Sequence, residues 1–202
     1  MERRILILNG SPRAPRSNSK HYAGLFARYS PRPTDYAEIR RNNHAQLAAR
    51  MTEYGDVVLV FPLYADALPV TLLDFLKSLE AASLGHRPTI SVLVNCGFQE
   101  YRQNETAVRM VRLFCRRNGY AFGSVLMLGS GEAILESPFR FLAVRKVKRF
   151  ARSVAEGRAE VLHTTMPLPK RLFVMASTRY WIQYGRQFGV TREQMQTPEI
   201  EG

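Results

Sequence analysis

Cysteine is scarce in this chain: Cys96 and Cys115 are the only two, and no CxxC pair exists. Two separated thiols cannot build a disulfide framework, and they read as small core residues of a reduced compartment. Acidic residues are also in deficit, 17 against 29 Lys and Arg, which leaves a formal net charge of +12. Long apolar runs are missing. No segment approaches the ~18 uninterrupted apolar residues of a spanning helix. The first apolar run, Ile5–Leu8, ends at Asn9-Gly10 and is too short for a secretory signal core. A cytoplasmic protein is the expectation. Neither GxxxxGK[ST] nor GxGxxG occurs, which disfavours a P-loop NTPase and a Rossmann dinucleotide fold. The histidines His21, His44, His86 and His163 are scattered without metal-ligand spacing, so no metal site is expected.

What is present is a globular composition, 46% hydrophobic and 23% charged over 202 residues, enough for one well-buried core. Four apolar, β-branched-rich runs recur: Arg4–Leu8, Val57–Phe61, Thr89–Val94 and Gly123–Leu128. Each is continuous rather than alternating, as strands covered on both faces are. Between them lie stretches of helical period at Ser19–Tyr29, Asn43–Tyr54 (opening on an Asn cap), Leu68–Leu79 (with Pro69 in the first turn) and Glu100–Asn118, the last closed by Gly119. A weak strand, Asp35–Ile39, suits a sheet edge. The rhythm predicts an α/β, doubly wound, five-stranded parallel sheet of order 2-1-3-4-5, the flavodoxin-like arrangement. Two helices follow, Phe139–Ala155 and Arg171–Phe188, and the five-strand core does not need the second. The expected division is residues 1–160 for the sheet domain and 161–202 for a basic, aromatic helical extension.

In such sheets ligands bind beyond the carboxyl ends of the strands. After the first strand, Asn9-Gly-Ser-Pro-Arg-Ala-Pro-Arg-Ser-Asn-Ser19 runs into a helix. Gly10 permits a tight turn, and Ser11, Ser17, Asn18 and Ser19 supply donors. The helix start adds free N–H groups and a positive dipole end, and Arg13 and Arg16 add charge. The set suits a phosphate monoester; a well-capped helix after a polar loop is the competing reading. A phosphotyrosine-phosphatase loop needs a cysteine here, and none is present. After the third strand, Pro62, Leu63, Tyr64, Ala65 and Asp66 form an apolar, aromatic turn able to lie along a flat ring. After the fourth come Asn95, Cys96, Gly97 and Phe98, and after the fifth a flexible, donor-rich Gly129-Ser-Gly-Glu-Ala133. Tyr64 and Glu132 are candidates for ring or substrate contact.

NGSPR…SNS, FPLYADALP and NCGFQE, at these places, resemble the flavodoxin-like NAD(P)H-dependent FMN reductases and oxidoreductases over about residues 3–155. The resemblance implies FMN, its phosphate at Ser11, Arg13, Ser17, Asn18 and Ser19, and its ring against Pro62–Asp66 and Asn95–Phe98. It implies NADH or NADPH as electron donor, a quinone, flavin or other small acceptor, and a homodimer or tetramer. Catalysis would be centred on the flavin, with no catalytic side chain assigned. A flavodoxin-type electron carrier is the alternative, although flavodoxins are typically acidic and this chain is basic; a module that has lost the flavin is a third. The cysteine cluster of iron–sulfur relatives is missing.

The basicity is local. Arg140–Arg192 holds twelve Lys and Arg against Glu156 and Glu160. Three readings compete for it: a solvated basic helix with a C-terminal helix packed on the same chain or a second subunit, peripheral contact of residues 139–192 with an anionic membrane (where a lipid quinone would be a compatible acceptor), and nucleic-acid binding, which lacks any recognised motif.

Overall fold

Ile5, Leu6, Ile7 and Leu8 are all fully buried, which requires a strand covered on both faces. The computed structural model describes residues 4–82 and 85–196, in two compact units divided between Met166 and Pro167.

The first unit is a parallel sheet flanked by helices, with strands β1 (Ile5–Asn9), β2 (Thr34–Glu38), β3 (Asp56–Pro62), β4 (Thr89–Asn95), β5 (Phe122–Leu128) and β6 (Val161–Thr164) in the order β2-β1-β3-β4-β5-β6. The doubly wound order expected from sequence holds, but the sheet has six strands rather than five. β6 pairs with β5 in parallel, from Val125 opposite Val161 to Leu128 opposite Thr164. Its four residues follow a polar, charged stretch and bury only Leu162, so no apolar run marks them. The sheet unit therefore reaches Met166, and the extension begins at Pro167 rather than at residue 161. The outer ends of the two expected ranges, residues 1–3 and 197–202, lie outside the described residues.

Helices α1 (Asn18–Tyr29), α2 (His44–Met51), α3 (Val70–Ala81), α4 (Glu105–Arg117) and α5 (Arg140–Ala155) connect the strands. One core joins Leu6, Leu8, Val57, Leu59 and Val92 to Leu47, Phe75, Leu76 and Val111 from α2, α3 and α4. Across the sheet α1 meets α5, with Phe26 edge-on to Phe150 at a ring separation of 5.6 Å. Pro69 caps α3 instead of entering its first turn. Asn43 stands at the α2 cap position, but its side chain closes the preceding turn, accepting from the Arg40 N–H at 2.9 Å and donating to the Glu38 carbonyl at 2.9 Å. Gly119 ends α4 at φ +69°, as its sequence position predicts.

The second unit holds α6 (Lys170–Arg186) and α7 (Arg192–Gln196), and neither contains a buried residue. Rings of Tyr180, Trp181 and Tyr184 on α6 and Phe188 just beyond its end touch in succession at centroid separations of 5.2–6.2 Å. Among the described residues no helix is long and apolar enough to cross a membrane.

Candidate functional site

Asn9, the last residue of β1, is completely buried and organises the first loop. Its Oδ1 accepts from the Ser11 N–H at 3.0 Å, and its Nδ2 donates to the Tyr36 hydroxyl of β2 at 2.9 Å. Ser11 Oγ then accepts from the Arg13 N–H at 3.3 Å. A single 3-10 turn, Ala14–Arg16, built around Pro15, carries the chain to Ser17. Pro12 and Pro15 restrict the loop before any ligand arrives. Ser17 is the N-cap of α1, its Oγ accepting from the Lys20 N–H at 3.2 Å. Among the described residues no acceptor takes the N–H groups of Asn18 and Ser19, the first two of the helix. Gly10 serves close packing: a Cβ there would lie 3.2 Å from the Leu72 side chain.

Two loops converge on this one. Leu63 is held to β4 by its N–H on the Asn95 carbonyl at 2.8 Å. Tyr64 and Ala67 then exchange backbone hydrogen bonds at 3.2 and 2.9 Å around Ala65 (φ 45°) and Asp66 (φ 55°). Positive φ at both central positions is the two-residue hairpin geometry that glycine and asparagine prefer, so Ala65 is strained. At the end of β4, Asn95 Nδ2 donates both to Ser19 Oγ and to the Phe61 carbonyl, each at 3.1 Å, binding two strand ends and the start of α1 into one unit. Ser19 is thereby buried with its oxygen occupied and its hydroxyl proton still available. Cys96 is buried among polar partners, with Asn104 Nδ2 3.4 Å from its sulfur. Burial pushes its thiol pKa up, opposite to the direction that activates a nucleophilic cysteine. A Cβ on Gly97 would meet nothing within 4 Å, so that backbone faces open space.

The loop after β5 differs from its sequence reading. Its amides are used within the chain: the Gly131 N–H donates to the Cys96 carbonyl at 2.7 Å and the Ser130 N–H to the Phe98 carbonyl. A Cβ on Gly131 would sit 2.8 Å from Asn95 Cβ, and one on Gly129 would collide with the Gln99 carbonyl. The glycines are there because the β4 loop leaves no room, and the segment is a strut rather than a flexible donor turn. Thr165, just past β6, completes it through Gln99 and Ser130. Tyr22 of α1 locks the other side, its hydroxyl donating to the Gly131 carbonyl at 2.6 Å, and burial drives its phenol pKa far above the usual range.

Together these loops enclose a groove of about 150 Å³ lined by Ser11, Arg13, Ser17, Asn18, Ser19, Pro62, Leu63, Tyr64, Asn95, Cys96, Gly97 and Glu132. Of the residues expected at the site, Ala65, Asp66 and Phe98 are exposed and do not line the groove. The histidines are dispersed: His86 meets the Tyr54 carbonyl at 3.1 Å, His163 stacks on Tyr101 at 4.0 Å, His44 lies edge-on to Phe75 at 5.6 Å, and His21 is exposed on α1.

Several solved structures superpose on about three quarters of the chain. An NAD(P)H:quinone oxidoreductase from Methanothermobacter marburgensis superposes with a TM-score of 0.60 at 14% identity, over 75% of this chain and 96% of its own. An FMN-dependent NADH-azoreductase from Bacillus anthracis, solved with FMN, gives 0.56 at 13% identity, over 76% and 99%. A flavodoxin from Streptococcus pneumoniae TIGR4 gives 0.56 at 16%, over 76% and 98%. The fold is flavodoxin-like. No protein-family model and no curated protein sequence matches the chain. Within this flavodoxin-like frame, the positioning residues that sequence reading misses are Tyr22, Tyr36, Asn104 and Thr165. Tyr22 reaches its partner across 109 residues of chain, and such a contact leaves no local signal.

Proposed function

We propose that the chain is an FMN-dependent NAD(P)H oxidoreductase that passes electrons to a small acceptor such as a quinone or a flavin. The observation that carries this reading is the single groove that gathers serine hydroxyls, unused helix-start amides and Arg13 from the first loop with backbone and aromatic surface from the next two. The donor set fits a phosphate monoester. At about 150 Å³ the groove is smaller than the ~300–1,000 Å³ of closed small-molecule pockets, so it suits the phosphate end, with a flat ring left to the exposed rim.

Ser11, Ser17 (its hydroxyl turning from the Ala14 carbonyl, to which it donates at 3.2 Å) and the N–H groups of Asn18 and Ser19 would hold the phosphate, and Arg13 would neutralise it. Tyr64 and Phe98, both exposed, would present aromatic surface to the ring, beside backbone left open at Gly97. Ala65 and Asp66 keep backbone N–H groups without an acceptor among the described residues, so the strained hairpin offers donors at the rim. Bound FMN supplies hydride acceptance and electron transfer, chemistry that asks no side chain to act as a nucleophile. Burial raises the pKa of both the Cys96 thiol and the Tyr22 phenol, which agrees with a supporting role for the polypeptide.

Absorbance of the purified protein tests the reading. Expected is an oxidised-flavin spectrum that bleaches with NADH or NADPH under anaerobic conditions. A coloured protein that neither nucleotide bleaches would instead be an electron carrier, the reading that the flavodoxin neighbour favours. A protein that stays colourless after reconstitution with FMN would remove both. Ser11→Ala with Asn18→Ala removes the Ser11 hydroxyl and the Asn18 side-chain amide from the groove lining and should weaken FMN retention about tenfold or more, followed by flavin fluorescence on dilution, since each lost hydrogen bond to a charged group is worth ~1.5–3 kcal/mol.

A further inference from the structure

Helix α6 is the feature that the proposed activity leaves unexplained. It is 17 residues long and none of them is buried. Leu172, Val174, Met175, Tyr180, Trp181 and Tyr184 are all well exposed. Their numbering places apolar side chains nearly all round the helix, the pattern of a helix that is covered in its working state. Propensity alone does not maintain it: Val174, Thr178, Ile182 and Gly185 are poor helix formers, and an isolated helix of this size is marginal in water.

The charge indicates what covers it. α6 carries Lys170, Arg171, Arg179 and Arg186 and no carboxylate. Arg171, Arg179 and Arg186 succeed one another about two turns apart, hence along one side, and none forms an ion pair among the described residues. With α7 the helix forms an open groove of about 680 Å³ in which Val174, Met175 and Ile182 stand beside Arg179, Arg186 and Arg192. Apolar floor next to unpaired arginine is complementary to an anionic amphiphile surface, where acyl chains adjoin phosphate. Trp181 and the neighbouring tyrosines are side chains suited to the headgroup level. A second copy packed on the arginine side of the helix would set like charge against like charge. The segment is too short and too charged to span a bilayer.

We propose that α6 docks in the plane of an anionic lipid bilayer, its aliphatic and aromatic side chains at the headgroup–acyl boundary and its arginines among the phosphates. The docking is reversible and weakens with salt. It is independent of the flavin reading: a colourless protein that floats with vesicles would sink only the proposed enzyme, and a flavoprotein that does not float would sink only this proposal.

The test uses the full chain with phosphatidylcholine vesicles made with and without phosphatidylserine. Trp181 is the chain's only tryptophan, so its emission reports on α6 alone. Expected are flotation with the serine-lipid vesicles only, a blue shift of the emission on binding, and release by high salt. The variant R171Q/R179Q/R186Q should lose on the order of a hundredfold in partitioning, at roughly fivefold per cation near the surface, with an unchanged circular dichroism spectrum and melting temperature. Absence of flotation, or equal flotation on neutral vesicles, overturns the proposal. So does emission already blue-shifted without lipid together with a dimer in sedimentation equilibrium, which would make a second copy the cover of α6.

Discussion

At the scale of single residues, strain and charge yield two measurable consequences. Ala65 holds a left-handed backbone that an L-residue adopts at a cost of ~1–2 kcal/mol. Ala65→Gly should therefore stabilise the protein by about 1 kcal/mol, a rise of ~2–4 °C in melting temperature. A lowered melting temperature would show that the hairpin gains more from the Ala65 side chain than it loses in strain. Asp35, toward the far end of the sheet, accepts from Arg4 at 2.6 and 2.7 Å and from the Tyr54 hydroxyl at 2.9 Å. The Arg4 hydrogen bonds lead in holding its carboxyl pKa below the usual range. A depressed folded pKa contributes stability that is complete above the unfolded value near ~3.9 and is lost as pH falls through the folded one. Asp35→Asn should be less stable than the parent at neutral pH and converge on it in acid, as read from urea unfolding at several pH values.

At the scale of elements, the candidate site is a set of loops fastened to each other before they are offered to a ligand. Asn95 is the shared fastener, joining the ends of β3 and β4 to the first turn of α1. Asn95→Ala should cost ~1–3 kcal/mol, the penalty of leaving buried partners unsatisfied, and should loosen flavin retention together with stability. Gly131→Ala forces a methyl to 2.8 Å from Asn95 Cβ and should cost ~1–3 kcal/mol by overpacking, checked by thermal unfolding. The first loop was legible because its donors lie within eleven consecutive residues between a strand and a helix. Loop residues 62–64 and 95–97 were legible from their place after strands, and they do line the groove. The β5 loop was misread because glycine in sequence signals either freedom or lack of space, and only the neighbouring Gln99 and Asn95 show that here it is space.

At the scale of the whole molecule, four of the six strands announced themselves as apolar runs, and their alternation with helices gave the parallel, doubly wound order. β2 was traceable as a half-buried edge, whereas β6, only four residues long, gave no pattern to read. Charge was legible in amount and position but not in purpose, because a formal sum does not distinguish Arg149, which pairs with Glu160 at 2.8 Å, from Arg179, which has no such partner among the described residues. The place of β6 also fixes when the site is finished. Thr165 secures the β4 and β5 loops only after nearly the whole sheet unit has left the ribosome, although the serine-rich loop is made first. The loop thus waits through synthesis for its lock, and a nascent chain stopped short of Thr165 should retain much of its strand order while failing to hold a flavin.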